Sequence, residues 1–89
     1  MLTQTVIVTN KLDLHARASA KLTQLAARFP CEVWLEKAGR KVNAKSIMGV
    51  MMLAAGKGSE LTLSAHGEGE VDCLQGLLQL FNDNFGEGE

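Results

Sequence analysis

The sequence predicts a two-layer α+β domain, in which an antiparallel sheet of four strands is covered on one face by three helices. Alternating apolar and polar residues, typical of strands, take turns with apolar stripes at helical spacing in the order β-α-β-β-α-β-α. The 89 residues make one small domain, residues 1–89, with neither a linker nor an internal repeat. A hydrophobic content of 46% is sufficient for a folded core.

The first strand and the first helix are indicated by the spacing of their apolar residues. Thr3 to Thr9 is rich in β-branched residues, and Val6 and Val8 share one face of this strand. Ala16 to about Phe29 is predicted to be an amphipathic helix, which Pro30 ends. The core-facing stripe of this helix contains Ala18, Leu22, Leu25, Ala26 and Phe29.

A hairpin is predicted to follow. Cys31 to Lys37 alternates as a strand, Ala38-Gly39 is typical of a tight turn, and Arg40 to Asn43 returns as a second strand. Trp34 shares a face with charged residues, so we expect it on the sheet face that no helix covers.

Ser46 to about Leu53 is predicted to be a short helix with Ser46 as its N-cap. It is apolar nearly all round, and so small a domain cannot bury every side. We therefore expect exposed methionines, which suit an adaptable partner surface. The apolar residues are Ile47, Met48, Val50, Met51, Met52 and Leu53.

The last strand and the last helix complete the pattern. Glu60 to His66 alternates, with Leu61, Leu63 and Ala65 facing inward. Glu70 to about Phe85 is predicted to be the final helix. Its apolar face contains Val71, Leu74, Leu77, Leu78, Phe81 and Phe85.

Composition excludes several classes of protein. A net charge of −1 argues against broad nucleic-acid binding. No apolar run reaches the length of a membrane span, and the N-terminus lacks the features of a signal peptide. Cys31 and Cys73 are far apart and form no C-x-x-C motif, so we expect reduced thiols in a cytoplasmic protein.

A histidine at the start of the first helix is the candidate for chemistry. A helix N-terminus leaves backbone N–H groups unpaired and carries partial positive charge, which favours anions. His15 stands at this start and Arg17 follows it. Because a neutral imidazole is a competent nucleophile near neutral pH, His15 could hold a phosphoryl group. A capping or surface histidine is the alternative that the residues leave open.

Two further polar residues admit more than one interpretation. Ser46 is either a plain N-cap or a phosphorylation site, since a helix N-terminus tolerates the added negative charge. His66 lies at a strand end without a cysteine or histidine at ligand spacing, so we expect no metal.

Two separate segments resemble the HPr family of histidine phosphocarriers, and the length and element order agree over the whole chain. Leu14-His15-Ala16-Arg17 is similar to the family's active-site segment, and Ala44 to Met51 is similar to the segment with its regulatory serine. The resemblance implies the HPr open-faced β-sandwich. Two residues depart from the family pattern, since Asp13 and Ala18 stand where the family often has glycine and proline.

The resemblance also implies a function in the bacterial phosphotransferase system. His15 would accept a phosphoryl group on Nδ1 from phospho-enzyme I, which draws on phosphoenolpyruvate, and pass it to EIIA-type proteins. Arg17 would balance the phosphate charge, and Ser46 would be modified by an HPr kinase/phosphorylase. Val50 and Leu53 would face the core. The partner-docking face would contain Ala16, Ala20, Lys21, Gln24, Ile47, Met48, Met51 and Met52.

We accordingly expect a monomeric phosphoryl-transfer intermediate without cofactor or metal, rather than an enzyme with its own small-molecule substrate. One alternative is a regulatory binding module that acts mainly through Ser46 and the exposed methionines and transfers no phosphate, which the presence of His15 argues against. Another is a small hydrolase of acyl phosphates, although Asn10 to Leu14 lacks the glycines and arginine of a phosphate-cradling loop. Features of both the sugar-type and the nitrogen-pathway proteins are present, so the pathway stays open.

Overall fold

A computed structural model describes residues 1–8, 16–53, 56, 58–83 and 85. Over these residues the chain forms four strands and three helices in the predicted order. They are β1 (Leu2–Ile7), α1 (Ala16–Ala26), β2 (Glu32–Lys37), β3 (Arg40–Asn43), α2 (Ile47–Met52), β4 (Glu60–His66) and α3 (Glu70–Asn82).

The strands form one antiparallel sheet in the order β1-β4-β2-β3. The central strand β4 pairs Leu61 with Val6 of β1 and Leu63 with Leu35 of β2, so apolar residues of neighbouring strands lie side by side. These residues are buried beneath the helices, and α1 and α3 contact each other above them. The predicted α+β sandwich is thereby confirmed.

The β2–β3 hairpin closes through the turn that the sequence predicts. Ala38 has a φ of 50° and Gly39 has a φ of 85°. Two successive residues with positive φ are typical of a type I′ turn, whose twist matches that of the flanking strands. Trp34 of β2 is half-buried, and the ammonium of Lys41 on β3 lies 5.2 Å from the centre of its ring.

Helix α1 ends three residues earlier than predicted, at Ala26 rather than Phe29. The following turn tightens, because the N–H groups of Arg28 and Phe29 donate to the carbonyls of Leu25 and Ala26, three residues back. Pro30 disfavours helical geometry in the residue before it, so the helix cannot continue through Phe29.

Helix α3 also differs in two details. It ends at Asn82 instead of Phe85, although Phe85 is buried and its ring packs edge-on against Phe81 at 4.9 Å. The placement of Val71 on the apolar face is wrong, because its side chain is 52% exposed. At 3.6 residues per turn, Val71 lies roughly 100° away from the centre of the stripe that α3 buries.

None of the described helices is long and apolar enough to span a membrane.

Candidate functional site

The predicted phosphoryl acceptor, His15, lies outside the described residues, together with Asp13 and the rest of residues 9–15. The next residue, Ala16, is the first of α1. Ala16 and Arg17 are both exposed, whereas Ala18 and Ser19 are buried and anchor this first turn to the core. Helix α1 therefore presents its N-terminal residues to solvent directly after His15.

The start of α1 favours a negative charge. No acidic residue lies in its first turn, all of which the structure describes, and Arg17 adds a cation there. The first N–H groups of a helix have no partner within it, and the helix dipole places partial positive charge at this end. An anion held just before Ala16 would therefore gain from both the backbone and the guanidinium.

Ser46 occupies the N-cap of α2, as predicted. Its backbone N–H donates to the Asn43 carbonyl at 3.0 Å, and Asn43 Oδ1 accepts from the Lys45 N–H at 2.8 Å. These two bonds turn the chain out of β3. The Ser46 Oγ then accepts from the Gly49 N–H at 3.1 Å, which satisfies one of the unpaired donors of the helix. Ser46 itself is exposed.

Helix α2 buries only a narrow face. Val50 is fully buried and Leu53 is 4% exposed, which confirms both as core residues. A Cβ on Gly49 would stand 3.4 Å from the Cβ of Val42, at ordinary van der Waals distance, so this side of α2 faces β3. The expectation of exposed methionines is confirmed. The exposed apolar residues are Ile47, Met48, Met51 and Met52, at 38%, 67%, 42% and 58% exposure.

The C-terminal end of α2 is held by two cations from the β2–β3 hairpin. Lys37 Nζ donates to the Leu53 carbonyl at 3.4 Å, and Arg40 Nη1 donates to the Met52 carbonyl at 3.1 Å. No basic residue lies in the last turn of this described helix. The hairpin therefore supplies the positive charge that the helix dipole favours at this end.

Two other lysines bind carbonyls three residues beyond the ends of α1 and α3, whose own described last turns also contain no basic residue. Lys45 Nζ donates to the Phe29 carbonyl beyond α1 at 2.7 Å. Lys21 Nζ donates to the Phe85 carbonyl beyond α3. Sequence reasoning missed these anchors. The only available signal is the lack of basic residues in the last turns, and it does not reveal which distant cation is used.

The predicted docking residues lie on two helices that contact each other, α1 and α2. On α1, Ala16 and Gln24 are exposed, whereas Ala20 and Lys21 are half-buried. Since its ammonium binds the Phe85 carbonyl, Lys21 also anchors Phe85 after the end of α3. The helices thus bring together an apolar exposed surface on α2 and a polar one on α1.

One carboxylate, that of Glu70 in the first turn of α3, is electrostatically perturbed. The Gly67 N–H donates to Glu70 Oε1 at 3.0 Å, and the N-terminal ammonium lies 3.6 Å from Oε2. The hydrogen bond, with help from the ammonium, holds the pKa of Glu70 below its ordinary value. His66, at the end of β4, is exposed. Among the described residues, no group of three His, Cys, Asp or Glu side chains could bind a metal ion.

Comparison with known proteins identifies the relatives of this chain. The sequence profile of the family described as "PTS HPr component phosphorylation site" matches residues 2–83. The phosphocarrier protein HPr of Cupriavidus necator is 56% identical over 89 residues, which is the full length of both chains.

Solved structures agree with this match. A crystal structure of HPr-C-His from Thermoanaerobacter tengcongensis superposes with a TM-score of 0.95 at 42% identity, covering 98% of each chain. A crystal structure of an HPr dimer from the same organism covers 98% of this chain and 100% of its own, with a TM-score of 0.79 and 42% identity.

Proposed function

The chain belongs to the HPr family of phosphocarriers of the phosphotransferase system, and we propose that His15 is the residue that holds the phosphoryl group. The observation that carries this proposal is the start of α1. Its exposed first turn follows His15 directly, lacks an acidic residue and contains Arg17. A phosphoryl group on His15 would therefore sit where the helix and the guanidinium favour an anion.

Each of the two transfers, from enzyme I to His15 and from His15 to an EIIA-type protein, would proceed between two histidines. The Nδ1 lone pair of neutral His15 attacks the phosphorus of phospho-enzyme I in line, so that a new P–N bond forms as the donor's P–N bond breaks. The same group then moves to a histidine of an EIIA-type protein. The surface at Ala16 and Arg17 is exposed, so the partner would supply the rest of each site. Positioning and charge stabilisation account for the catalysis.

We also propose Ser46 as the site that an HPr kinase/phosphorylase modifies. Its exposed hydroxyl caps α2, and a phosphate there adds a charge of about −1.5 to −2 at a helix end that tolerates it. The fold would survive the modification. The new charge would stand beside the exposed side chains of Ile47 and Met48 and would disfavour apolar contacts with enzyme I.

The proposed docking face joins the two helices. Enzyme I and EIIA-type proteins would contact the α1 residues around Arg17 and the exposed apolar side chains of α2. Methionine is flexible and polarisable, so one surface can pack against several partners. The members are Ala16, Ala20, Lys21, Gln24, Ile47, Met48, Met51 and Met52.

We further propose that the protein acts as a cytoplasmic monomer without a cofactor. One relative has been crystallised as a dimer, so the oligomeric state needs its own measurement. Light scattering across a concentration series should give the monomer mass, and a stable dimer would overturn this part of the proposal. EIIA-type proteins of the sugar and nitrogen pathways, offered separately, would identify the pathway by the faster acceptor.

Labelling with phosphoenolpyruvate and enzyme I tests the acceptor. Wild type should gain an acid-labile phosphate, His15→Ala should gain none, and His66→Ala should behave as wild type. His66→Ala is the matched control because the chain contains two histidines and His66 is exposed on β4.

Normal labelling of His15→Ala would contradict the assignment. A wild type that accepts phosphate only on Ser46, from the kinase and ATP, would favour the regulatory module. Steady hydrolysis of acetyl phosphate would favour a hydrolase instead.

A further inference from the structure

One lysine connects the proposed modification site to the segment that follows α1. Lys45 directly precedes Ser46, and its Nζ donates to the Phe29 carbonyl at 2.7 Å. A hydrogen bond from an ammonium is charge-assisted, and such bonds are stronger than those between neutral groups. Neither the proposed phosphoryl transfer nor the proposed docking face uses this lysine, so its bond needs an explanation of its own.

The acceptor of this bond is a fixed point of the backbone. The Phe29 N–H donates to the Ala26 carbonyl at 3.3 Å, and Pro30 restricts the backbone of Phe29 from the other side. A Cβ built on Gly69 would stand 3.5 Å from Cδ1 of Phe29 and 3.9 Å from Cδ of Pro30, so this segment packs against the chain just before α3. Lys45 is therefore tied to a rigid part of the fold.

The turn that presents Ser46 leaves the core just before it. Ala44 is fully buried, and its N–H donates to the Val33 carbonyl of β2 at 2.9 Å. The next two residues move outward, since Lys45 is half-buried and Ser46 is exposed. The two bonds to Asn43 shape this turn locally, but they join residues of the same turn and do not fix it to another part of the fold.

A cavity lies between this turn and the segment after α1. It has a volume of about 240 Å³, and its lining includes Pro30 and Cys31 of that segment together with Asn43 and Lys45 of the turn. Because this space is a cavity rather than packed side chains, van der Waals contact does not hold the turn in place there. The bond from Lys45 to the Phe29 carbonyl connects the two sides.

We propose that Lys45 is a positioning residue for the modification of Ser46, because its bond to the Phe29 carbonyl holds the turn that presents the Ser46 hydroxyl to the kinase. This inference rests on the proposed role of Ser46. A turn that samples several arrangements offers the binding-competent one for only part of the time, and the apparent affinity falls by that fraction. Loss of the Lys45 bond should therefore raise the KM of the kinase for this protein and leave kcat unchanged.

Steady-state phosphorylation by the kinase and ATP, at a temperature where every variant is folded, tests this role. Lys45→Met keeps an unbranched side chain but cannot donate, so KM should rise about tenfold, as expected for the loss of a hydrogen bond from a charged group. Lys45→Arg donates through its guanidinium and should recover most of the loss. Arg40→Met is the matched control, because it removes the same kind of bond at the other end of α2, and it should keep the wild-type KM.

Amide hydrogen exchange in the free protein separates positioning from direct contact with the kinase. The N–H groups of Ser46 and Gly49 report on the turn, because they donate to the Asn43 carbonyl and to Ser46 Oγ. Both should exchange faster in Lys45→Met and at the wild-type rate in Lys45→Arg. A merely destabilised fold would instead speed the exchange of core amides such as that of Leu63 in β4, which opens only with the whole domain.

Three results would overturn the proposal. An unchanged KM for Lys45→Met would do so while Ser46 stays the site of the kinase. A raised KM with wild-type exchange at Ser46 and Gly49 would make Lys45 a contact of the kinase instead of a positioning residue. A wild type that the kinase leaves unmodified would remove the role of Ser46 itself, and that of Lys45 with it, whereas labelling of His15 by enzyme I would stand. Lys45→Gln, which also lacks the charge, replaces Lys45→Met if that variant fails to fold.

Discussion

Removal of the Ser46 hydroxyl tests the structural role of Ser46 as the N-cap of α2, because the stability of the unphosphorylated protein does not depend on its proposed regulatory role. In Ser46→Ala, the Gly49 N–H loses the acceptor that now lies 3.1 Å away. Ser46 is exposed, so the substitution leaves no cavity, and no acidic residue in the first turn of α2 can compensate. Loss of an N-cap of this kind costs about 1 kcal/mol, with a range of about 0.5–2 kcal/mol. For a domain of this size, 1 kcal/mol corresponds to a fall in melting temperature of about 4–8 °C.

Ser46→Asp should behave differently from Ser46→Ala. An aspartate oxygen can replace the hydroxyl as acceptor for the Gly49 N–H. Its charge also interacts favourably with the helix dipole, by about 0.3–1 kcal/mol at low salt. We therefore expect Ser46→Asp to be at least as stable as wild type. The same physical argument predicts that phosphorylation of Ser46 leaves the fold intact.

Urea unfolding of the three proteins measures this difference. The single tryptophan, Trp34, is half-buried on β2 and provides the fluorescence signal. The expected order of unfolding free energy is Ser46→Asp equal to or above wild type, with Ser46→Ala below both. A Ser46→Ala protein as stable as wild type would refute the capping role. A Ser46→Asp protein as unstable as Ser46→Ala would refute the claim that this position accepts negative charge.

Two further predictions concern contacts that the sequence did not reveal. Arg40→Met should lower the unfolding free energy by about 0.3–1 kcal/mol at low salt, because the Met52 carbonyl loses a cation at 3.1 Å. The loss should shrink at high salt, and urea midpoints that do not depend on salt would contradict it. Glu70→Gln tests a pH dependence. Since the pKa of Glu70 is lowered from its ordinary value of 4.5, its carboxylate stabilises the fold above that pH, and this contribution is lost as pH falls through the lowered pKa. Between neutral and acidic pH, the melting temperature of Glu70→Gln should therefore fall less steeply than that of wild type. Equal falls for the two proteins would contradict the assignment.

Local patterns in the sequence predicted most of the fold. The alternation in Cys31 to Lys37 and in Glu60 to His66 placed both central strands correctly, because a strand with one buried face leaves a period of two. The Ser46 cap was also predictable, since its partner, Gly49, lies three residues away. The predicted ends of the helices were less accurate. Helix α1 ends at Ala26 because the tightened turn after it depends on the backbone geometry around Pro30.

Contacts between distant residues were not predictable. Arg40 and Lys37 reach carbonyls that lie 12 and 16 residues further along the chain, and nothing in the local sequence marks these pairs. The exposure of Val71 likewise depends on which side of α3 meets the sheet.

The direct test of the central claim is the position of the phosphate in the wild-type protein. After incubation with phosphoenolpyruvate and enzyme I, digestion at neutral pH and mass spectrometry of the peptides should find one phosphoryl group, on His15. Acid treatment should remove it, and addition of an EIIA-type protein should discharge it. An acid-labile phosphate on His66, or a phosphate on His15 that no EIIA-type protein accepts, would contradict the account.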